Sequence, residues 1–349
     1  MAAAAWRHVA SDVASLPLTM RAVSATQFGG PEVLCVRDNV ALPDAPAEDS
    51  SVLVKICAAG VNPVETYMRA GVYARLPTLP WTPGNDGAGI VVAAGNDARA
   101  RSLLGKRVWL SGSLTGTYAQ YCACSADCVH PLADSLSFEQ GASVGIAYKT
   151  AYRALFHRAR VTAGQLVFVH GASGGVGLAA IQLAVLNGLY VVGSAGTSLG
   201  QEAVRGAGAH HVVNHRQEGY MQTVKNIAVN EYRKSGVDAI IEMLANKNLG
   251  HDLKILNSGG VVAVVGNRGD AQVNARDLMM SEGSIVGVLR GSEADMKNAT
   301  LAVERLVESG AVNPVVGQTY SLDSAGEAHH EVIAHEKGTQ GKIVISNIN

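Results

Sequence analysis

The clearest chemistry in this chain lies in the glycines of Val167-Phe-Val-His-Gly-Ala-Ser-Gly-Gly-Val-Gly177. An apolar run at 166–169 precedes them and predicts a buried strand. A second apolar run at 176–186 follows and predicts a helix. Between strand and helix, glycines let the backbone approach a pyrophosphate closely. The helix N-terminus adds unpaired N–H groups and the positive end of its dipole. The spacing is Gly-x-x-Gly-x-x-Gly, with Ala172 in place of one glycine of the commoner pattern.

The ribose end can be read from what is missing. The next predicted strand, Tyr190–Ser194, ends in Ala195-Gly196-Thr197-Ser198. A fold that prefers NAD places Asp or Glu about 20 residues past the glycines, on the ribose 2′-hydroxyl. Here the tip is small and neutral, and the nearest acid is Glu202. Nothing repels a 2′-phosphate, and His215, Arg216 and Arg268 are later groups able to meet one. The expected cofactor is therefore NADPH.

Length and composition set the frame for these residues. A chain of 349 residues predicts about two domains. Hydrophobic residues are 48% and charged residues 16%, enough apolar material for large cores. A net charge of −1 argues against a nonspecific nucleic-acid binder. Apolar stretches such as 261–265 are too short to span a bilayer. Five cysteines without framework spacing point to a reducing compartment. Residues 1–19 lack pattern and carry one arginine, Arg7, so they read as a disordered or surface-laid extension rather than a targeting peptide.

The elements that must position the glycines fall into two styles. Residues 20–43, 52–56, 87–94 and 107–110 read as short strands separated by glycine turns. From Phe138 the pattern changes. A helix is predicted at 141–156, then strands near 166–169, 190–194, 211–214, 239–243, 261–265 and 285–289 alternate with helices. That alternation predicts an α/β fold with a doubly wound parallel (Rossmann) sheet. An amphipathic helix at 295–309 and a mixed segment at 315–345 follow. The expected division is an extension at 1–19, a β-rich domain from 20–144 and 291–349, and an inserted cofactor domain at 145–290. Ligands in such folds bind outside the carboxyl ends of the strands, so the cleft between the domains is the expected active site.

Several strings resemble zeta-crystallin-type NADPH:quinone oxidoreductases, a zinc-free branch of the medium-chain dehydrogenase/reductases. They are Phe28-Gly-Gly-Pro-Glu-Val-Leu34, Gly60-Val-Asn-Pro-Val-Glu-Thr-Tyr67, His170-Gly-Ala-Ser-Gly-Gly-Val-Gly177, Asn214-His-Arg216 and Ile240-Ile-Glu-Met-Leu-Ala-Asn246. The resemblance runs from Met20 to near Ile345. It implies a GroES-like catalytic domain around the Rossmann domain. It also implies a homo-oligomer (tetramer or dimer), a cytoplasmic location and reduction of ortho- and para-quinones by single-electron steps. A second role on AU-rich messenger RNA is implied as well. By position, cofactor contacts fall on Tyr67, Ser173, Gly174, Gly175, Val176, Gly196, His215, Asn248, Val265, Gly266, Asn267, Arg268, Val288, Leu289 and Arg290. The chain departs from the family at Asn267, often serine there, and at Leu289-Arg290.

Metal ligation is not expected. The zinc-ligand positions of the wider superfamily fall on Asn62 and on Asn85 of Gly84-Asn85-Asp86, and asparagine is a poor zinc ligand. Cys122, Cys124 and Cys128 supply only three thiols, on what reads as a strand at 118–124. His329, His330 and His335 read as surface residues of a polar helix.

No nucleophile–base arrangement and no Schiff-base lysine is evident in the sequence. Hydride or electron transfer from a nicotinamide needs proximity and orientation first. A quinone is already electrophilic, so a metal can be dispensed with. Tyr67 and Asn62 are the expected catalytic residues, lining the nicotinamide end: Tyr67 orients the carboxamide or donates to a quinone oxygen, and Asn62 does the latter. Reduction of an activated C=C bond in an enone or alkenal, and an RNA-binding role retaining the cofactor site, are the alternatives.

Overall fold

The structure is a computed structural model that describes Trp6 and residues 16–44 and 49–348. The chain forms two compact units. One takes the chain up to Ile146 with Glu304–Lys337 and the residues from Lys342 on. The other takes Ala147–Val303 and Gly338–Gly341.

The second unit is built on six parallel strands. Their order across the sheet is His211–Val213, Tyr190–Ser194, Leu166–Val169, Val237–Glu242, Leu256–Val264 and Ser284–Gly287. Numbered along the chain this is 3-2-1-4-5-6, with the reversal between Leu166–Val169 and Val237–Glu242. It is the doubly wound order of a dinucleotide-binding sheet. The central strands are apolar on both faces because helices cover both. Leu166, Phe168, Ile240 and Val262 are buried together with Val192 and Val224. Each such side chain contributes roughly 1.5–3 kcal/mol on leaving water.

The first unit is β-rich. Its main sheet runs Val316–Tyr320, Lys342–Ser346, Ser51–Gly60, Asp86–Ala94, Arg107–Ser111 and Val129–Pro131, and Tyr121–Ser125 also pairs with Ser51–Gly60. A two-stranded ribbon, Thr19–Ser24 with Cys35–Ala41, lies outside that sheet. Val54, Ile56, Leu110 and Tyr118 lie in its core.

Two sequence expectations are corrected by the structure and a third is narrowed. The helix expected at 141–156 is interrupted. Phe138–Ala142 ends, Gly145–Tyr152 restarts, and Arg153–Arg158 winds as a π-helix. The break follows from Asp86: its Oδ1 accepts the Ile146 N–H at 2.9 Å, and a Cβ on Gly145 would lie 2.2 Å from the same oxygen. Trp6 is buried, which at that residue favours a surface-laid extension over a disordered one. It packs with Met20, Leu42 and Leu53 and donates its indole N–H to the Pro43 carbonyl at 3.0 Å. The rest of 1–15 lies outside the described residues. His329 is buried on the helix Ala325–Ala334 and is no surface residue. No helix among the described residues is long and apolar enough to cross a membrane.

Candidate active site

All strands of the second unit's sheet end on the same edge, so the residues just past them are brought together by topology. Ser173, Gly174, Gly175 and Val176 follow Leu166–Val169, and Gly196 follows Tyr190–Ser194. His215 follows His211–Val213, and Asn248 sits in the helix Ala245–Asp252 past Val237–Glu242. Val265, Gly266, Asn267 and Arg268 follow Leu256–Val264; Val288, Leu289 and Arg290 follow Ser284–Gly287.

The glycines divide the work. Gly171 takes φ +52°, a left-handed turn that favours glycine. Gly177 is needed for packing, since a Cβ there would lie 2.6 Å from the Ala172 Cα. Gly174 is different. It caps the helix Gly175–Leu186 with ordinary extended backbone, and a Cβ there would meet nothing closer than the Gly171 carbonyl at 3.5 Å. Local packing therefore does not require glycine at 174, and its missing side chain leaves the free N–H groups at the start of that helix open.

Past the end of Tyr190–Ser194, a Cβ on Gly196 would lie 2.6 Å from His215 Nε2 and 2.8 Å from Arg216 Nε. His215 and Arg216 thus converge on the neutral tip. Burial above all, with the nearby Arg216 guanidinium, holds the His215 imidazole below its usual range, so Arg216 carries the permanent charge. Around the sheet's later strands, Asn267 Nδ2 donates to the Gly269 carbonyl at 2.6 Å, and Asn246 Oδ1 accepts the Arg268 N–H at 3.1 Å. The Val288 N–H donates to Val264 at 2.9 Å, while Leu289 is exposed.

Sequence reasoning missed a buried trio beside this edge: His170, Glu242 and Asp252. His170 Nε2 lies 2.8 Å from Asp252 Oδ1 and 3.3 Å from Glu242 Oε2. An acid closing an apolar strand, as Glu242 does, was the available signal.

The β-rich unit holds a second buried network. Asn62 precedes the helix Pro63–Arg69, which carries Tyr67. Tyr67 is half-buried. Asn62 is buried, and its amide donates to Asp86 Oδ2 at 3.0 Å and Glu65 Oε1 at 3.3 Å while its Oδ1 accepts from Lys342 Nζ. Lys342 Nζ also lies 3.4 Å from Asp86 Oδ2. Glu65 accepts further from the N–H groups of Asn62 and Asn85 and from the Tyr118 hydroxyl, each at 3.0 Å. Burial, then the nearby Asp86, pushes the Glu65 carboxyl up to about 7. His329 lies 3.2 Å from the Tyr118 hydroxyl, and burial drives its imidazole down to about 3, so it is neutral. Both Asn62 donors are committed, so it holds the turn before Tyr67 and has no hydrogen left for a substrate oxygen.

Comparison with known proteins matches these features. Residues 48–134 match the alcohol dehydrogenase GroES-like domain family, and residues 175–305 the zinc-binding dehydrogenase family. Human quinone oxidoreductase is 47% identical over 328 residues, covering 93% of this chain and 97% of its own. The chain belongs to the zeta-crystallin-type quinone oxidoreductase family. It is an oxidoreductase of the medium-chain dehydrogenase/reductase superfamily. A solved quinone oxidoreductase of Pseudomonas syringae is 25% identical, with TM-score 0.80 over 94% of this chain and all of its own. A mycobacterial protein solved with NADPH is 26% identical, with TM-score 0.80 and the same coverage.

Family membership raises the question of zinc, because one matched family is described as zinc-binding. The residues at the relevant positions do not fit it. Asn62 and Asn85 replace thiolate and imidazole, and Asn62 is already engaged by an ammonium and two carboxylates. Cys122 and Cys124 share a buried strand face with their sulfurs 3.7 Å apart, and Cys128 lies beyond the strand. Among the described residues, only His170, Glu242 and Asp252 gather three groups of metal-ligating type.

Proposed function

We propose that this oxidoreductase uses NADPH to reduce ortho- and para-quinones without a metal. The observation that carries the reading is the neutral tip at Gly196 and Thr197, on which His215 and Arg216 converge. Bound at the glycine turn, NADPH supplies the hydride or electron. The chain's residues bind and orient: Ser173, Gly174, Gly175 and Val176 take the pyrophosphate, and His215 with Arg216 takes the 2′-phosphate. Asn248 and the segments 265–268 and 288–290 flank the nicotinamide side. Tyr67, held by the capped helix Pro63–Arg69, positions the ring or the acceptor. The exposed edge strand Ser284–Gly287, with Ile285, Leu289 and Met279 open to solvent, supports a homo-oligomer. The functional test is a steady-state assay of NADPH against NADH over quinones and enones. Turnover confined to enones, or NADH preferred, would overturn the reading.

Thr197→Asp tests the ribose end. A carboxylate there meets the 2′-phosphate with like charge, so NADPH binding should weaken about tenfold relative to NADH. Equal effects on both cofactors would place the 2′-phosphate elsewhere.

Tyr67 tests the acceptor side. If it orients by packing, Tyr67→Phe should lower kcat less than about threefold and Tyr67→Ala about tenfold. A loss with Phe as large as that with Ala would make the hydroxyl a proton donor. No change with either would remove Tyr67 from the site.

A further inference from the structure

We propose that His170, Glu242 and Asp252 form a buried proton-holding site, in which the two carboxyls share one proton beside the imidazole N–H and so fix the two loops that receive the cofactor. The second half of this inference rests on the cofactor reading above. His170 closes the strand Leu166–Val169 and precedes the glycine turn. Glu242 closes Val237–Glu242, and Asp252 ends the helix Ala245–Asp252. All three are buried, Glu242 and Asp252 completely.

Donor accounting requires the proton. The single Nε2–H of His170 faces both Asp252 Oδ1 and Glu242 Oε2. Glu242 Oε1 is occupied, accepting the Leu244 N–H and the Asn248 amide, the latter at 3.1 Å. Asp252 Oδ2 and Glu242 Oε2 are buried without a hydrogen-bond partner. Two ionised carboxylates there would be two uncompensated buried charges with unmatched lone pairs. One proton between them supplies the missing donor and removes one charge, as in other carboxylate pairs that share a site.

The surroundings favour a proton over a cation. The three ligand atoms lie within 4.8 Å of one another, but only three donors converge and solvent is shut out. The titratable neighbours facing the trio are neutral. Tyr220, from the helix Tyr220–Tyr232, has its ring 6.3 Å from that of His170 and its hydroxyl pushed up to about 12 by burial and the two acids. His215 is held below its usual range. His170 itself is pushed down by burial against the pull of Glu242. Both carboxyls are pushed up to about 7, by burial above all.

The sign follows. A carboxyl raised in the folded state stabilises fully below its unfolded value and loses that contribution as pH climbs through its folded value, here near 7. The same loss leaves a second negative charge beneath the loops that hold an anionic cofactor.

Infrared difference spectroscopy of the cofactor-free protein should show a protonated carboxyl band below the transition. Glu242→Gln and Asp252→Asn should each remove it. NADPH binding should weaken about tenfold as pH rises through the transition, and this component should vanish in Glu242→Gln, which keeps the acceptor for Leu244 and Asn248. A band unchanged by both substitutions, the same pH dependence in Glu242→Gln as in wild type, or a stoichiometric divalent cation in elemental analysis would overturn the proposal. The expected band in a wild-type protein that binds no NADPH would support the proton-holding site and sink the cofactor reading instead.

Discussion

Gly174→Val is expected to raise the NADPH dissociation constant by about 100-fold or more, a loss of about 3 kcal/mol that matches one or two charge-assisted hydrogen bonds. The protein itself has room for the change. Gly174 has φ −80°, and its virtual Cβ makes only ordinary contacts, with Gly171 at 3.5 Å and Thr339 at 3.6 Å. The valine branches instead fill the space over the free N–H groups at the start of Gly175–Leu186. Circular dichroism and melting should therefore match wild type while fluorescence titration with NADPH fails. Gly177→Val gives the contrasting result. Its Cβ would collide with the Ala172 backbone, so that variant should lose stability first. Normal NADPH affinity in a folded Gly174→Val protein would show that the glycines serve packing alone, and the cofactor reading would fall.

Lys342→Met is expected to lower the melting temperature by about 10 °C, from a cost of about 3–5 kcal/mol for breaking a buried ion pair. Lys342 is buried beside Asp86, which is itself wholly buried. Methionine fills similar volume but leaves Asp86 charged without a cation and Asn62 Oδ1 without its donor. The substitution should also push the Glu65 carboxyl further up, because Lys342 is among the groups that hold it down. Adding Asp86→Asn to Lys342→Met should recover part of the loss by removing the stranded charge. A melting temperature unchanged by Lys342→Met would mean that the ammonium contributes nothing to that unit's core.

The parallel sheet was legible because its strands are buried on both faces and read as short apolar runs. Leu166–Val169 and Tyr190–Ser194 coincide with their expected bounds. The strand at 261–265 starts earlier, at Leu256, because Asn257, Ser258, Gly259 and Gly260 carry no apolar signal. The break in the expected helix at 141–156 comes from Asp86, distant in sequence, so no local pattern encodes it. His329 departs from the expected surface position because a polar helix can still turn one face inward, here onto Tyr118. The trio of His170, Glu242 and Asp252 is assembled from two strand ends and a helix end, and no local spacing encodes such a meeting.

Residues 338–341 belong to the cofactor-binding unit although the rest of that unit ends at Val303. The Gly341 N–H donates to the Ser173 carbonyl at 2.7 Å, and a Cβ on Gly200 would lie 3.0 Å from the Thr339 carbonyl. The glycine turn is thus buttressed by residues that follow the whole of the parallel sheet in the chain. During translation, all six parallel strands have left the ribosome before this brace exists, a lag of a few seconds at ordinary elongation rates. A nascent chain can build its sheet early but completes the brace of its glycine turn only once residues 338–341 have been added. Stop codons or proteolytic nicks between Val303 and Gly338 would leave a folded sheet with an unsupported turn.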